Sequence, residues 1–169
     1  NEVILAPGGV LDHAKPGGTF LLNSPYGKGE IWGHLPREVQ QAIVDKGLRF
    51  YVIDALQVAG DYGLGNRINL VMQTCFWALT DLLPRERAMA ESKEMIAKSY
   101  EKKGADIVQK NQAAVEATLA HLERVDVPVG GPSGKPRPPV VDARAPSFVQ
   151  RVTAMMMAGK GDQLPVSAF

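Results

Sequence analysis

Two short apolar runs, separated by enough chain for one helix, constrain this sequence more than any other feature. The first is Thr19-Phe20-Leu21-Leu22-Asn23, bounded by Gly17-Gly18 and by Ser24-Pro25, which suits a strand buried on both faces. The second, Phe50-Tyr51-Val52-Ile53, is aromatic and β-branched and also suits a strand. Between them Leu35-Pro36-Arg37-Glu38 opens a helix, since a first turn tolerates proline. Val39, Ala42 and Ile43 fall on one face of it, and Gly47 ends it. Strand, helix, strand in this order predicts a right-handed βαβ unit and hence a parallel sheet.

Beyond Asp54 the pattern turns helical. Residues 55–59 form a short helix ending in the turn Gly60-Asp61-Tyr62-Gly63-Leu64-Gly65. Over residues 66–83, Ile68, Val71, Met72, Cys75, Phe76 and Leu79 recur at intervals of three and four, with Leu70, Trp77 and Ala78 on other faces. A helix apolar all round is expected to be buried. Two further helices, residues 84–103 and 105–124, carry many charges and are expected on the outside. Residues 1–18 are turn-rich, with a brief strand. The fold class is therefore α/β: a short, incomplete parallel sheet, a helical C-terminal half and a proline-rich linker. Two or three strands leave edges unpaired, so the isolated chain is expected to be marginally stable or self-associating.

Six of the twelve prolines fall within residues 128–146, where regular structure is not expected. The organisation read from this is an α/β domain over residues 1–126, a Pro/Gly-rich linker over 127–147, and the start of a following domain over 148–169. The last would hold a short amphipathic helix with Phe148, Val149, Val152, Met155 and Met156. Asn1-Glu2-Val3 and the apolar ending Leu164 to Phe169 both read as cuts in a longer chain.

Charge narrows the partners. A formal net charge of +1 offers no cationic excess for a phosphate backbone, so nucleic acid is not expected. No apolar run is long enough to predict a membrane span. A single cysteine, Cys75, excludes an internal disulfide and any cysteine-only metal or iron–sulfur site built within this chain, and fits a reducing, cytoplasmic setting. Its place on an apolar helix face predicts an inert thiol of raised pKa. His13, His34 and His121 have no metal-ligand spacing.

Two loops could carry chemistry. Ser24-Pro25-Tyr26-Gly27-Lys28-Gly29 follows a predicted parallel strand, where ligands of open α/β sheets bind. Its glycines expose backbone N–H groups and Lys28 offers a positive charge, so it reads either as an anion site or as a plain tight turn. Tyr26 and Trp32 bracket it and could stack on a ligand ring or pack against the sheet. Gly63-Leu64-Gly65-Asn66-Arg67 precedes the apolar helix: Asn66 can cap it, and Arg67 beside a helix N-terminus suits an anion. It lacks the third glycine of a dinucleotide fingerprint, with Ile68 there instead, so a structural turn is the other reading.

The blocks Pro16-Gly17-Gly18-Thr19-Phe20-Leu21-Leu22-Asn23-Ser24-Pro25-Tyr26, Leu35-Pro36-Arg37-Glu38-Val39-Gln40, Phe50-Tyr51-Val52-Ile53-Asp54-Ala55 and Gly65-Asn66-Arg67-Ile68-Asn69 resemble the gamma-type domain of pyruvate:ferredoxin (flavodoxin) oxidoreductases. Met72-Gln73-Thr74, Lys102-Lys103-Gly104 and Val108-Gln109-Lys110-Asn111 continue the likeness, and Gly161-Asp162-Gln163-Leu164-Pro165-Val166-Ser167 resumes it past the linker. The resemblance spans about residues 15–169; residues 1–14 match poorly. It implies a segment of an enzyme that decarboxylates pyruvate on thiamine diphosphate, passes electrons through 4Fe-4S clusters to ferredoxin or flavodoxin, and forms acetyl-coenzyme A. It further implies a homo-oligomeric parent whose remaining domains are this segment's partners. No cofactor is expected on this chain alone except coenzyme A, which the resemblance associates with the gamma domain. Ser24, Tyr26, Gly65 and Asn66 stand in matching motifs, whereas Lys28 and Arg67 are electrostatic inferences. The isolated chain is expected to be inactive. The rival readings are a stand-alone nucleotide-binding α/β module and a purely structural interaction domain.

Overall fold

A computed structural model describes residues 9–80 and 82–168. In chain order it contains α1 (Val10–His13), β1 (Thr19–Asn23), α2 (Ile31–His34), α3 (Arg37–Asp45), β2 (Arg49–Ile53), α4 (Ala55–Asp61), α5 (Asn69–Leu79), α6 (Arg85–Tyr100), α7 (Ala105–His121) and β3 (Glu123–Arg124). A π-helical turn, Val149–Thr153, leads into α8 (Ala154–Met157). The sheet runs in the order β1-β2-β3. Arg49 N–H donates to Gly18 O and Ser24 N–H to Ile53 O, so the bonding steps forward along both chains: β1 and β2 are parallel. Strand β3 is antiparallel to β2, with Tyr51 opposite Arg124 and Val52 opposite Glu123.

The predicted strand–helix–strand segment is present, and the sheet is mixed because the chain returns after α7 to pair with β2. Glu123 and Arg124, expected to end a helix, form this third strand. The backbone groups of β2 on that side need partners, and pairing outweighs helix propensity at a fraying C-terminus. Between β1 and α3, the short α2 is an element the periodicity did not predict. The brief strand expected near the start falls on residues 3–5, outside the described residues, and Val10 and Leu11 are helical.

The chain separates into two compact units, each described by itself. One consists of Asn1–Phe20, Trp32–Arg49 and Val127–Phe169, within the described residues. Helix α3 buries Val39, Gln40 and Ile43 at the predicted spacing. Gln40, fully buried, is satisfied at both ends of its amide. Its Nε2 donates to Trp32 O, and its Oε1 accepts the N–H groups of Ser133 (2.7 Å) and Gly134 (2.8 Å). Arg37 N–H, one of the orphan donors of the helix start, donates to Lys135 O, and Arg137 N–H donates to the Glu38 carboxylate. The proline-rich stretch thus lacks regular structure, as expected, yet is held along the first turn of α3. A side chain at Gly134 would run into the Leu35 carbonyl oxygen, so this approach needs glycine.

The other unit consists of Leu21–Ile31 and Phe50–Asp126. Its core joins Ile53, Ala55, Val58, Val71 and Cys75, with Leu21, Tyr62, Ile68, Met72 and Leu122 packed against them. Ala59, Leu64 and Ala114 form a second cluster. Helix α7 packs on α4, α5 and α6 and buries Asn111, Ala114, Val115 and Thr118 along its inner side, while Asp106, Lys110 and Glu116 lie outward as their charge predicts. Small residues on that face permit close approach, and its charges occupy the opposite side. Conversely α5, expected to be buried all round, leaves Phe76 47% exposed.

Candidate functional site

The carboxyl ends of β1 and β2 are stitched together by short polar side chains. Asn23 Oδ1 accepts from Ala55 N–H (2.9 Å), and Asp54, the N-cap of α4, accepts from Gln57 N–H (2.9 Å). These contacts occupy two of the four orphan donors at the start of α4. The chain leaves β1 at Ser24, which is 8% exposed and whose Oγ accepts from Tyr26 N–H (3.1 Å). Glu30 and Ile31 N–H groups fold back onto Gly27 O, closing the loop into α2. Ser24 is thus a buried turn-former, while Tyr26 is 39% exposed. Trp32, the other aromatic considered for stacking, is only 7% exposed and serves as core.

Lys28 in the loop meets Glu123, a residue for which no role is predicted from the sequence. Lys28 N–H donates to Glu123 Oε2 (3.1 Å), and Lys28 Nζ stands 3.5 Å from Oε1. Since β1 and β3 lie on opposite sides of β2, the loop passes across the carboxyl end of β2 to make this contact. The Lys28 backbone N–H, followed by its ammonium, holds the Glu123 carboxyl below the usual carboxylate range. The side chains of Lys28 and Glu123 are 59% and 36% exposed, so the pair contributes on the order of 0–1 kcal/mol. Nothing local in the sequence marks Glu123, because the contact joins positions 95 residues apart.

The second loop is shaped by glycine. Gly63 and Gly65 adopt φ of 69° and 59°, a left-handed conformation that other residues adopt at a strain. Arg67 Nε donates to Leu64 O (3.0 Å), tying the side chain to its own loop. Asn66 does not cap α5: that helix begins at Asn69 with Ile68 as N-cap and no side-chain cap bond, while Ile68 N–H bonds Asn66 O. The turn uses up the residues between the glycines and the helix, which moves Asn66 too far upstream to reach the first helical N–H groups. Gly65, Asn66 and Arg67 are all exposed.

Cys75 is fully buried, and burial pushes its thiol up from 9.0 to about 12, consistent with the inert thiol expected. Among the described residues no group of three or more His, Cys, Asp or Glu side chains is placed to hold a metal ion. Among them, too, no helix is long and apolar enough to cross a membrane.

A backbone N–H and an ammonium thus converge on one carboxylate at the carboxyl end of the sheet, the end at which ligands of open α/β folds bind. Comparison with known proteins supplies the family. Residues 3–121 match the model of the family described as pyruvate ferredoxin/flavodoxin oxidoreductase, and residues 134–169 match a domain of unknown function. The chain is 51% identical over 160 residues to a pyruvate-flavodoxin oxidoreductase of Rhodospirillum rubrum, covering 95% of this chain and 13% of that protein. It is 53% identical over 161 residues to a Synechocystis protein, again 95% of this chain and 13% of the relative. An Escherichia coli protein is 49% identical over 160 residues, 95% of this chain and 14% of its own length. These last two are named as candidate pyruvate-flavodoxin oxidoreductases. The chain thus spans about one seventh of the length of the relatives it matches. Because the family model covers residues 3–121 and these relatives are about half identical over 95% of the chain, the chain belongs to the pyruvate ferredoxin/flavodoxin oxidoreductase family.

Proposed function

We propose that this chain acts as a segment of a pyruvate:ferredoxin/flavodoxin oxidoreductase, contributing to coenzyme A binding and to the packing of the enzyme's other domains. The observation that carries this reading is the oxyanion-gripping loop around Lys28, at the ligand end of the sheet, in a chain of this family. Coenzyme A is phosphate-rich, and the Lys28 N–H and ammonium suit a phosphate oxygen as they suit the Glu123 carboxylate. Arg67, exposed on its glycine turn, offers a second cation. When bound, coenzyme A supplies the thiol that accepts the acetyl group; this chain's own residues would only hold and orient its phosphates.

One buried thiol does not fit a cysteine-held 4Fe-4S cluster, so the clusters are assigned to the rest of the polypeptide, as is the thiamine diphosphate that would carry the decarboxylation. Ferredoxin or flavodoxin would be met through that larger enzyme, placed in the cytoplasm. In the same reading, residues 1–126 form the gamma-type domain, 127–147 a connector, and 148–169 the beginning of the next domain. The purely structural alternative keeps one specific support: Lys28 is already paired within the chain.

Calorimetry of the intact oxidoreductase with coenzyme A separates the two. Lys28→Ala or Arg67→Ala is expected to weaken binding about three- to tenfold, as for an exposed charge-assisted contact. Unchanged affinity in both variants would favour the structural role.

A further inference from the structure

We propose that Glu123 is a built-in competitor for the oxyanion site of the Ser24–Gly29 loop, occupying the donors of Lys28 until a phosphate-type ligand displaces it. The proposal rests on reading this loop as an oxyanion site and adds a specificity-determining residue to it.

Five observations support it. The carboxylate is gripped at both oxygens, Oε2 by the Lys28 N–H and Oε1 by its ammonium, which is how a loop of this kind would hold a phosphate. The loop backbone comes so close that a Cβ at Gly27 would stand 3.3 Å from Glu123 Oε2, so the glycine there fits the presence of the carboxylate. Lys28, Gly29 and the competing carboxylate all reach solvent, which makes exchange with an incoming anion sterically open. The lowered pKa of Glu123, due first to the Lys28 N–H, shows that this position favours negative charge. Glu123 itself sits on a strand of only two residues, a light attachment for a side chain that must move aside.

The chemistry selects ligands that are better oxyanions than a carboxylate. A dianionic phosphate gains more from the ammonium than a monoanion does, whereas a simple carboxylate gains nothing by the exchange. Glu123 would then act as a filter, keeping Lys28 from small carboxylates, 2-oxoacids included, and yielding to phosphate esters.

The test titrates inorganic diphosphate into the intact oxidoreductase by calorimetry at constant ionic strength. Glu123→Gln is expected to bind diphosphate about two- to fivefold more tightly than the parent enzyme. Glu123→Gln combined with Lys28→Ala is expected to lose that gain. Glu101→Gln removes the same charge from an exposed site in the 3-10 turn after α6 and is expected to leave affinity unchanged. The idea is overturned if Glu123→Gln binds no more tightly than the parent, including no binding by either, or if Glu101→Gln gives an equal gain. If Glu123→Gln perturbs the fold, Glu123→Asp supplies the second arm: its shorter side chain should loosen the grip and raise affinity, and an unchanged affinity would again count against displacement. Coenzyme A calorimetry on the intact enzyme can fail while this result stands, so the two readings fall separately.

Discussion

Gln40 is the residue on which the proline-rich stretch depends. Gln40 is one of two adjacent glutamines and nothing in its neighbours along the chain sets it apart, yet it is fully buried and bonded to Trp32 O, Ser133 N–H and Gly134 N–H. Gln40→Ala is expected to destabilise the chain by about 2 kcal/mol, since it leaves a buried N–H without an acceptor; urea denaturation gives the value. Gly134→Ala should lower stability by about 1–3 kcal/mol through collision with the Leu35 carbonyl, while Gly130→Ala, in open space, should be nearly silent. Cys75 gives a pH signature. Its pKa is raised from 9.0 to about 12 by burial, so the unfolded chain loses its proton first as pH rises. The stability this thiol contributes is complete below pH 9.0 and disappears as pH climbs towards 12, a loss that Cys75→Ala should lack when the two melts are compared across that range.

At the scale of elements, α3 and residues 133–137 behave as one object. The start of α3 has Pro36 at its N-cap and no side-chain cap bond, and the backbone at Lys135 and Arg137 supplies partners instead. Hydrogen exchange is therefore expected to show the Gly134 amide protected and that of Val129 unprotected, and Gln40→Ala to erase the difference. Uniform fast exchange over 128–146 would mean a free connector. Helix α4 is held in the opposite way, by local chemistry: Asp54 caps it within four residues of sequence. Asp54→Ala should cost about 1 kcal/mol, and this interaction is legible in the sequence because a cap acts through its nearest neighbours.

For the molecule as a whole, the sheet has, among the described residues, three strands with an outer edge at β1 and another at the two-residue β3, so its pairing surface is large for its core. Concentration-dependent sedimentation or a broad, low melting transition is the expected result; a monomer with a sharp two-state melt above ~65 °C would contradict it. Assayed alone with pyruvate, coenzyme A and a one-electron acceptor, the chain should reduce nothing, and measurable turnover would overturn the segment reading. Both expectations follow from one fact of scale: the chain corresponds to 13% of the length of its Rhodospirillum rubrum relative.

The sequence by itself determined the parts set by neighbours along the chain. Phe20 and Leu22 alternate into the core of β1, Val39 and Ile43 share the buried face of α3, and Gly63 and Gly65 mark a turn that other residues would strain. It also carried the family, because ordered motif blocks survive as local strings. Only tertiary structure decided that Glu123 and Arg124 leave a helical register to become a strand, that Phe76 on the apolar α5 stays exposed, that Asn66 falls short of the helix it precedes, and that Lys28 meets a carboxylate 95 positions away. The physical reason is common to all four. Propensity and capping act over a few residues and about 1 kcal/mol, whereas unpaired strand edges, buried faces and opposite charges are satisfied by whichever distant segment the folded chain brings within reach.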